Sequence, residues 1–227
     1  QKVTAMSSVL MKSVSGIRGI VGETVTPDLI ARVGSAFAGY CGYGTVVIGR
    51  DSRPTGAAIE KGLESALLLS GCNVVNIGIV PTPTVQVMVE HLHAAGGIVI
   101  SASHNPVEWN AFKLVGKSGS FLTASEIETF FAMMESPFTY RHWDAVGSVV
   151  ADTGANGIHI AKVLSVVDRE SIIKRNYNVV LDSVNGAGSD ITITMLQKLG
   201  CDVVPLHCDM NGIFPRGAEP LPQNLAL

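Results

Sequence analysis

The sequence has few charged residues: Asp, Glu, Lys and Arg make up 15% of its 227 residues, against about 25% in an average soluble domain. Together with 47% apolar residues, this excludes an intrinsically disordered chain, which needs the opposite balance. Low charge also argues against a coiled coil or a solenoid of charged helices. Positive charge is not in excess either, since the net charge is −3, so we expect neither nucleic acid nor a membrane surface as a partner.

The sequence also lacks a long uninterrupted apolar run. The uncharged stretch at residues 33–49 contains five glycines, whereas a membrane-spanning helix needs about 20 mainly apolar residues. We expect no signal peptide, because the first residues contain no long apolar core. The mean hydropathy of +0.35 is nevertheless high. Strands buried on both faces of a parallel α/β sheet explain it, and surface that normally faces another part of the protein is the alternative.

Cysteine is scarce, with four residues and no C-x-x-C pair. Cys41 and Cys72 lie in apolar surroundings. Cys201, His207 and Cys208 lack a fourth ligand for zinc. We therefore expect reduced thiols in a cytoplasmic protein rather than a disulfide framework or a zinc site.

The first part of the chain alternates apolar runs with helical patterns. These patterns predict strands at residues 45–49, 73–78, 97–101 and 112–115, and helices at 54–69, 84–93 and 123–134. Thr123 and Glu126 have the spacing of a capping box at the start of the last helix. Strands and helices that alternate in this way are typical of a largely parallel α/β sheet.

The pattern weakens between residues 137 and 157, where Pro, Gly, Thr and Asp cluster. We place a domain boundary near residue 150. Beyond it the sequence predicts one or two helices over 158–174, a strand over 177–182, a helix over 189–199 and a strand over 202–206. We expect residues 1–10 to be disordered, 11–150 to form a complete domain, and 151–227 to form only part of a second domain.

The most distinctive chemical feature is the S-A-S-H-N-P segment at residues 101–106, which directly follows an apolar strand. Ligands of open α/β sheets gather beyond the carboxyl ends of strands, so we expect a reactive group here. A serine that carries a phosphoryl group needs cations close to it. Lys113, Arg18, and Arg50 or Arg53 lie in or beside turn-like or Gly-rich segments and are the candidates.

Three other interpretations of these residues stay open at this point. The segment is also consistent with a plain polar turn, because Asn followed by Pro is typical of turns. A serine hydrolase that uses Ser103 and His104 is a second alternative, although the sequence has no G-x-S-x-G elbow around this serine. A non-catalytic nucleotide- or sugar-phosphate-binding module is a third, since residues 186–191 form an incomplete G-x-G-x-x-G loop that lacks its third glycine.

Several segments, taken in order, resemble the motifs of the α-D-phosphohexomutases, a family that includes phosphoglucomutase, phosphomannomutase and phosphoglucosamine mutase. The S-H-N-P segment at 103–106 and the N-A-F-K segment at 110–113 are similar to the S-H-N-P…N-G-x-K signature. The other similar segments lie at residues 15–19, 49–53, 81–83, 181–188, 219–220 and 224–225. The resemblance covers nearly the whole chain from about Met11. It implies a three-layer αβα domain with a mostly parallel mixed sheet, followed by a truncated second domain of the same type.

The resemblance also implies a reaction and its residues. Ser103 would be a phosphoserine whose phosphoryl group passes to a hexose monophosphate and gives a 1,6-bisphosphate. Lys113 would act as an acid/base or stabilise charge, and His104 would belong to the catalytic site or hold its loop. Arg18 and Asn105 would bind phosphate or substrate. The implied cofactor is Mg²⁺, and the N-terminal loop leans slightly towards glucosamine or glucose phosphates as substrates.

Two departures from the family pattern matter. Ala111 stands where the family has glycine, so strain is expected if that position has a positive φ. The D-G-D-x-D-R loop, whose aspartates hold Mg²⁺ in the family, is absent from the 227 residues, which leaves Ser103, through its phosphate, as the metal ligand of this chain. We therefore expect these residues alone to be inactive, to bind no Mg²⁺, and to self-associate through surfaces that face the missing domains.

Overall fold

The computed structural model of the protein describes residues 10–225. The disorder predicted for residues 1–10 therefore falls, except for Leu10, outside the described residues. The strands are β1 (Met11–Ser13), β2 (Gly16–Ile20), β3 (Val46–Arg50), β4 (Val74–Ile79), β5 (Gly96–Ile100), β6 (Trp109–Gly116), β7 (Val149–Ala151), β8 (Asn178–Asp182) and β9 (Asp202–Leu206). The helices are α1 (Pro27–Tyr40), α2 (Gly56–Ser70), α3 (Thr82–His91), α4 (Ala124–Glu135), α5 (Ala155–Leu164), α6 (Arg169–Ile173), α7 (Ser189–Lys198) and α8 (Pro222–Leu225).

Seven strands form one mixed sheet in the order β1-β2-β6-β5-β3-β4-β7. The neighbours β5, β3, β4 and β7 run parallel to one another, whereas β6, β2 and β1 join by antiparallel pairing. One apolar cluster joins α1, α2 and α4 to one face of the sheet, and a second joins α3 and α5 to the other face. These layers confirm the predicted αβα fold with a mostly parallel mixed sheet.

A second, smaller sheet contains the parallel strands β8 and β9. The helix α7 connects them, as the strand–helix–strand pattern predicts. The two helices α5 and α6 fill the segment in which one or two were expected, and α5 packs against both α3 and α7. The strand β7 lies at the weakened part of the pattern and adds to the edge of the large sheet beside β4.

The best-predicted elements are those with a complete local signal. All five residues of β5 are buried, which explains its unbroken apolar run. Helix α4 begins with the predicted capping box: the Glu126 amide donates to Thr123 Oγ1 at 3.4 Å, and the Thr123 amide donates to Glu126 Oε2 at 2.8 Å. Helix α2 begins at Gly56, two residues later than its proline suggested.

Strand β2 and helix α1 were not predicted from the sequence. In α1, a Cβ at Gly34 would lie 2.7 Å from the Ala66 Cβ of α2. This glycine therefore allows two helices to approach closely and does not interrupt α1. The helix begins regularly, with the Thr26 hydroxyl accepting from the Leu29 amide and Pro27 in the first turn. No described helix has the length and apolar character that a bilayer crossing requires.

Candidate active site

The carboxyl ends of β3, β4 and β5 lie side by side, because these strands are parallel neighbours. The chain that leaves each strand here contributes to a cleft of about 330 Å³. Its lining includes residues 51–53 after β3, residues 80–82 after β4, and Ser101, Ser103 and His104 after β5. The part of the chain around the small sheet also lines this cleft, through Ser183, Val184, Gly186, Ala187 and Phe214. The S-A-S-H-N-P segment thus lies where an open α/β sheet places its ligands.

Ser103 is exposed and has a φ of +58°, in the left-handed region. This conformation costs a residue other than glycine about 1–2 kcal/mol. Two local hydrogen bonds hold it: the Ser103 amide donates to Ser101 Oγ at 3.2 Å, and the Asn105 amide donates to the Ala102 carbonyl at 3.2 Å. The strained turn lifts the Ser103 hydroxyl out of the loop, and strain of this kind is typical of functional sites.

His104 lies beside Ser103 but does not form a hydrolase-like pair with it. Its Nδ1 is 3.5 Å from Ser103 Oγ, at the limit of a hydrogen bond. The His104 side chain is exposed, and within residues 10–225 no carboxylate is hydrogen-bonded to it, whereas a serine hydrolase orients its histidine through a third group. The geometry therefore gives no support to the serine-hydrolase alternative.

Arg18 and Lys113 meet on one face of the sheet beside Ser103. Arg18 in β2 pairs with Ala111 in β6, and Lys113 lies two residues further along β6, on the same face. These three residues and Ser103 line a cleft of about 100 Å³. The Arg18 guanidinium also donates from Nη1 to Asn105 Oδ1 at 2.9 Å, which ties the Ser103 loop to β2.

Burial lowers the pKa of Lys113 below its ordinary value, and the positive charges of Arg18 and Arg53 lower it further, while Asp51 opposes them. The ammonium group therefore gives up its proton more readily than a lysine in water. An amine whose pKa is lowered is a better candidate for acid/base work than a lysine in water.

Ala111 does not have the positive φ that would have strained its backbone. It is an ordinary residue of β6, paired with Arg18, and it does not belong to the residues with positive φ. Its methyl group lines the small cleft between Arg18 and Lys113, and the family's glycine would leave more room there.

Arg50 and Arg53, the two arginines considered as cations for a phosphoryl group on Ser103, have structural partners. Arg50 donates from Nε to Glu60 Oε2 at 3.0 Å. Arg53 is 1% exposed, forms an ion pair with Asp51, and donates to the carbonyls of Ser103 and Asn105. Asp51 and this supporting role of Arg53 were missed by the sequence analysis. The G-R-D-S-R motif at residues 49–53 was the available signal.

The glycine-rich segment after β8 forms a tight turn into α7. The Gly186 amide donates to the Ser183 carbonyl at 2.7 Å, and the Ser189 hydroxyl donates back to the Gly186 carbonyl at 2.7 Å. The turn also docks on the large domain, because the Ser52 hydroxyl donates to the Asn185 carbonyl at 2.8 Å. These bonds account for the segment as a structural turn that closes one side of the cleft.

The described residues do not form a magnesium site. Mg²⁺ prefers carboxylate oxygens, but Arg53 occupies both oxygens of Asp51, through its amide on Oδ1 and its guanidinium on Oδ2. Across residues 10–225, no group of three or more His, Cys, Asp or Glu side chains is placed to hold a metal ion.

Comparison with known proteins identifies the class of this αβα chain. The model of phosphoglucomutase/phosphomannomutase alpha/beta/alpha domain I matches residues 10–141, and the model of alpha/beta/alpha domain II of the same family matches residues 158–227. The chain belongs to the α-D-phosphohexomutase family, as its motifs predicted.

Individual relatives agree with this assignment. The chain is 38% identical over 212 residues to a protein of Methanopyrus kandleri named "Probable phosphoglucosamine mutase", covering 93% of this chain and 46% of the relative. It is 38% identical over 226 residues to the "Phosphoglucomutase/phosphomannomutase" of Thermococcus kodakarensis, covering 92% and 47%. A crystal structure of a phosphoglucomutase/phosphomannomutase family protein from Burkholderia thailandensis superposes with a TM-score of 0.75 at 26% identity, covering 90% of this chain and 46% of that one. The chain thus spans about half the length of these relatives.

Proposed function

We propose that this chain is the phosphoserine-bearing part of a phosphohexomutase that interconverts hexose 1-phosphate and hexose 6-phosphate. The observation that carries the proposal is the position of Ser103, whose hydroxyl is exposed on a strained turn beside Arg18 and Lys113. Two cationic side chains beside one nucleophilic oxygen suit a group with two negative charges. Family membership favours this reaction over a binding module.

In the proposed reaction the bond between Ser103 Oγ and phosphorus breaks, and a bond forms between phosphorus and a free hydroxyl oxygen of a hexose monophosphate. The proton of that hydroxyl passes to Ser103 Oγ, so the products are a hexose 1,6-bisphosphate and a free serine. The other phosphoryl group of the bisphosphate then returns to Ser103 by the reverse exchange. The monophosphate that leaves has its phosphate on the other carbon.

Lys113 and Arg18 have different parts in this exchange. Its position beside Ser103 and a pKa that burial lowers from its ordinary value make Lys113 the candidate to relay the proton between the sugar hydroxyl and Ser103 Oγ. Arg18 keeps donors for phosphoryl oxygens, because its hydrogen bonds to Asn105 Oδ1 and Met11 Sδ use only two of its five N–H groups. Asn105 orients that guanidinium, and His104 faces the larger cleft, where it contributes to substrate binding or holds the loop.

The substrate we propose is a hexose phosphate, with glucosamine or glucose phosphate favoured. The relatives support the class, since their names include phosphoglucosamine mutase and phosphoglucomutase/phosphomannomutase. Mg²⁺, which the resemblance implies, would take its carboxylate ligands from outside the described residues. We propose for this reason that the 227 residues alone do not turn over. A measurable conversion of glucose 1-phosphate to glucose 6-phosphate by them would contradict this.

The location we propose is the cytoplasm. The four cysteines are free thiols, which is typical of a reducing compartment. Fractionation of cells that express the protein, followed by immunoblotting, tests this. Recovery in an extracellular or membrane fraction would contradict it.

The central experiment measures phosphate on Ser103. The full-length protein that contains this chain is incubated with glucose 1,6-bisphosphate and examined by intact mass spectrometry. We expect one added phosphoryl group, its loss in Ser103→Ala, and its retention in the control Ser118→Ala, which changes an exposed serine in a turn away from the cleft. Unchanged labelling or turnover in Ser103→Ala would refute the mechanism.

Two further measurements separate the alternatives. A serine hydrolase would react with a fluorophosphonate at Ser103, and we expect no such labelling. A dinucleotide-binding module would give saturable heat in a calorimetric titration with NAD, and we expect none.

A further inference from the structure

Arg53 has an unusual environment for an arginine. Its side chain is buried beneath the surface of the cleft, with 1% of it exposed. The charge is balanced by Asp51, whose carboxylate accepts from both the Arg53 amide and its guanidinium. The guanidinium Nε has no hydrogen-bond partner among the described residues. A buried and partly unsatisfied cation costs stability. A contribution to the free energy of folding therefore does not explain why an arginine stands at position 53.

The remaining donors of Arg53 hold the Ser103 loop, defined here as residues 101–106. Nη2 donates to the Ser103 carbonyl at 3.2 Å and also to the Asn105 carbonyl. These two carbonyls lie on either side of His104, directly after the strained Ser103 residue. A left-handed serine persists only where its surroundings fix it. Arg53 holds the backbone carbonyls of the loop from outside, in addition to the bond from Arg18 to the Asn105 side chain.

The other side of Arg53 faces the second part of the chain. The Phe214 ring lies over the guanidinium, with 5.2 Å between Cζ and the ring centroid. The segment just before Phe214 packs closely on the loop after β3, because a Cβ at Gly212 would lie 2.8 Å from the Arg53 Cα. Arg53 therefore touches the Ser103 loop on one side and the 211–216 segment on the other.

We propose that Arg53 is a positioning residue that fixes the Ser103 loop for phosphoryl transfer and couples it to the 211–216 segment through Phe214. The inference rests on the proposed function of Ser103. Lysine at this position would keep the charge beside Asp51 but has no planar fork to reach two carbonyls together. Arg53→Lys therefore separates loop geometry from charge.

The test compares Arg53→Lys with Arg50→Lys in the full-length protein. Arg50 is the matched control, because it is the last residue of β3, three positions before Arg53, but pairs with Glu60. We expect Arg53→Lys to slow phosphoryl transfer from glucose 1,6-bisphosphate to Ser103 by about 10- to 100-fold, as a small misplacement of a reacting atom does. Its KM for the bisphosphate should stay within about twofold, since geometry and not binding is changed.

Hydrogen exchange gives a second readout that does not depend on the reaction. Amides of the Ser103 loop should exchange faster in Arg53→Lys and in Phe214→Leu, while those of α1 and α4 stay protected. Wild-type transfer rates in Arg53→Lys, equal loss in Arg50→Lys, or faster exchange throughout the protein would each overturn the proposal. If Ser103 carries no phosphate, the proposed function fails on labelling, while the exchange of the loop still shows whether Arg53 fixes it.

Discussion

Alanine at position 212 should disrupt the contact between the 211–216 segment and the loop after β3. Gly212 has a φ of +70°, and a Cβ built on it would lie 2.2 Å from the Ser52 carbonyl oxygen. That neighbour is backbone and cannot rotate away. Gly22 is the matched control, because its φ is +86° but a Cβ there would meet nothing within 4 Å.

The expected cost follows from these distances. Gly22→Ala has only the left-handed penalty of about 1–2 kcal/mol, offset by about 0.4–1 kcal/mol from the less flexible unfolded chain, which leaves roughly 0.5–1 kcal/mol. In Gly212→Ala the backbones must separate by about 1.2 Å to reach a contact of 3.4 Å. That movement breaks the 2.8 Å hydrogen bond from Ser52 to Asn185 and uncovers Arg53, adding about 2–3 kcal/mol.

Thermal unfolding followed by circular dichroism measures the difference. At about 2–4 °C per kcal/mol for a chain of this size, Gly212→Ala should lower Tm by roughly 5–15 °C, and Gly22→Ala by no more than about 4 °C. Amides of residues 51–55 should exchange faster only in Gly212→Ala. Equal Tm shifts in the two variants would refute the inferred contact.

Three further changes test other parts of the structure. Thr123→Ala should cost about 1 kcal/mol in urea unfolding through the lost capping box, and Thr123→Ser should restore most of it; no loss would contradict the cap. Burial lowers the pKa of Lys113 below the ordinary 10.5, so between these two pKa values the unfolded chain binds more protons than the folded chain. The stability of the wild type relative to Lys113→Met should therefore rise with pH in that window. A difference in urea midpoints that falls as the pH rises would contradict this. Val180 and Val204 are 67% and 54% exposed, and we propose that they mediate self-association. Changing both to threonine should shift sedimentation towards monomer, whereas an unchanged distribution would exclude this face.

The sequence predicts those helices and strands whose signal lies within the element itself. An unbroken apolar run predicts β5, and a capping residue with its partner three positions later predicts the start of α4. Helix α1 was not predicted, because the reason for Gly34 is an Ala66 side chain far along the chain. The antiparallel pairing of β2 with β6 depends in the same way on distant partners.

The residues of the candidate site also differ in whether a local motif or a distant contact defines their role. Ser103, Arg18 and Lys113 were found through motifs, and the structure brings them to one small cleft. The role of Arg53 depends on carbonyls 50 and 52 residues away, and no periodicity in the sequence reports such a contact. Asp51 was missed for the same reason, since its importance follows from the arginine it neutralises.

The pairing of β5 with β6 has a consequence for how the reactive groups stay aligned. Ser103 lies in the connection between these two antiparallel strands, and Lys113 lies within β6, opposite Val99. Ser103 and Lys113 therefore belong to a single hairpin, and a slip of one residue in its register would turn Lys113 to the other side of the sheet. Their alignment is local to that hairpin, whereas Phe214 reaches the Ser103 loop through Arg53.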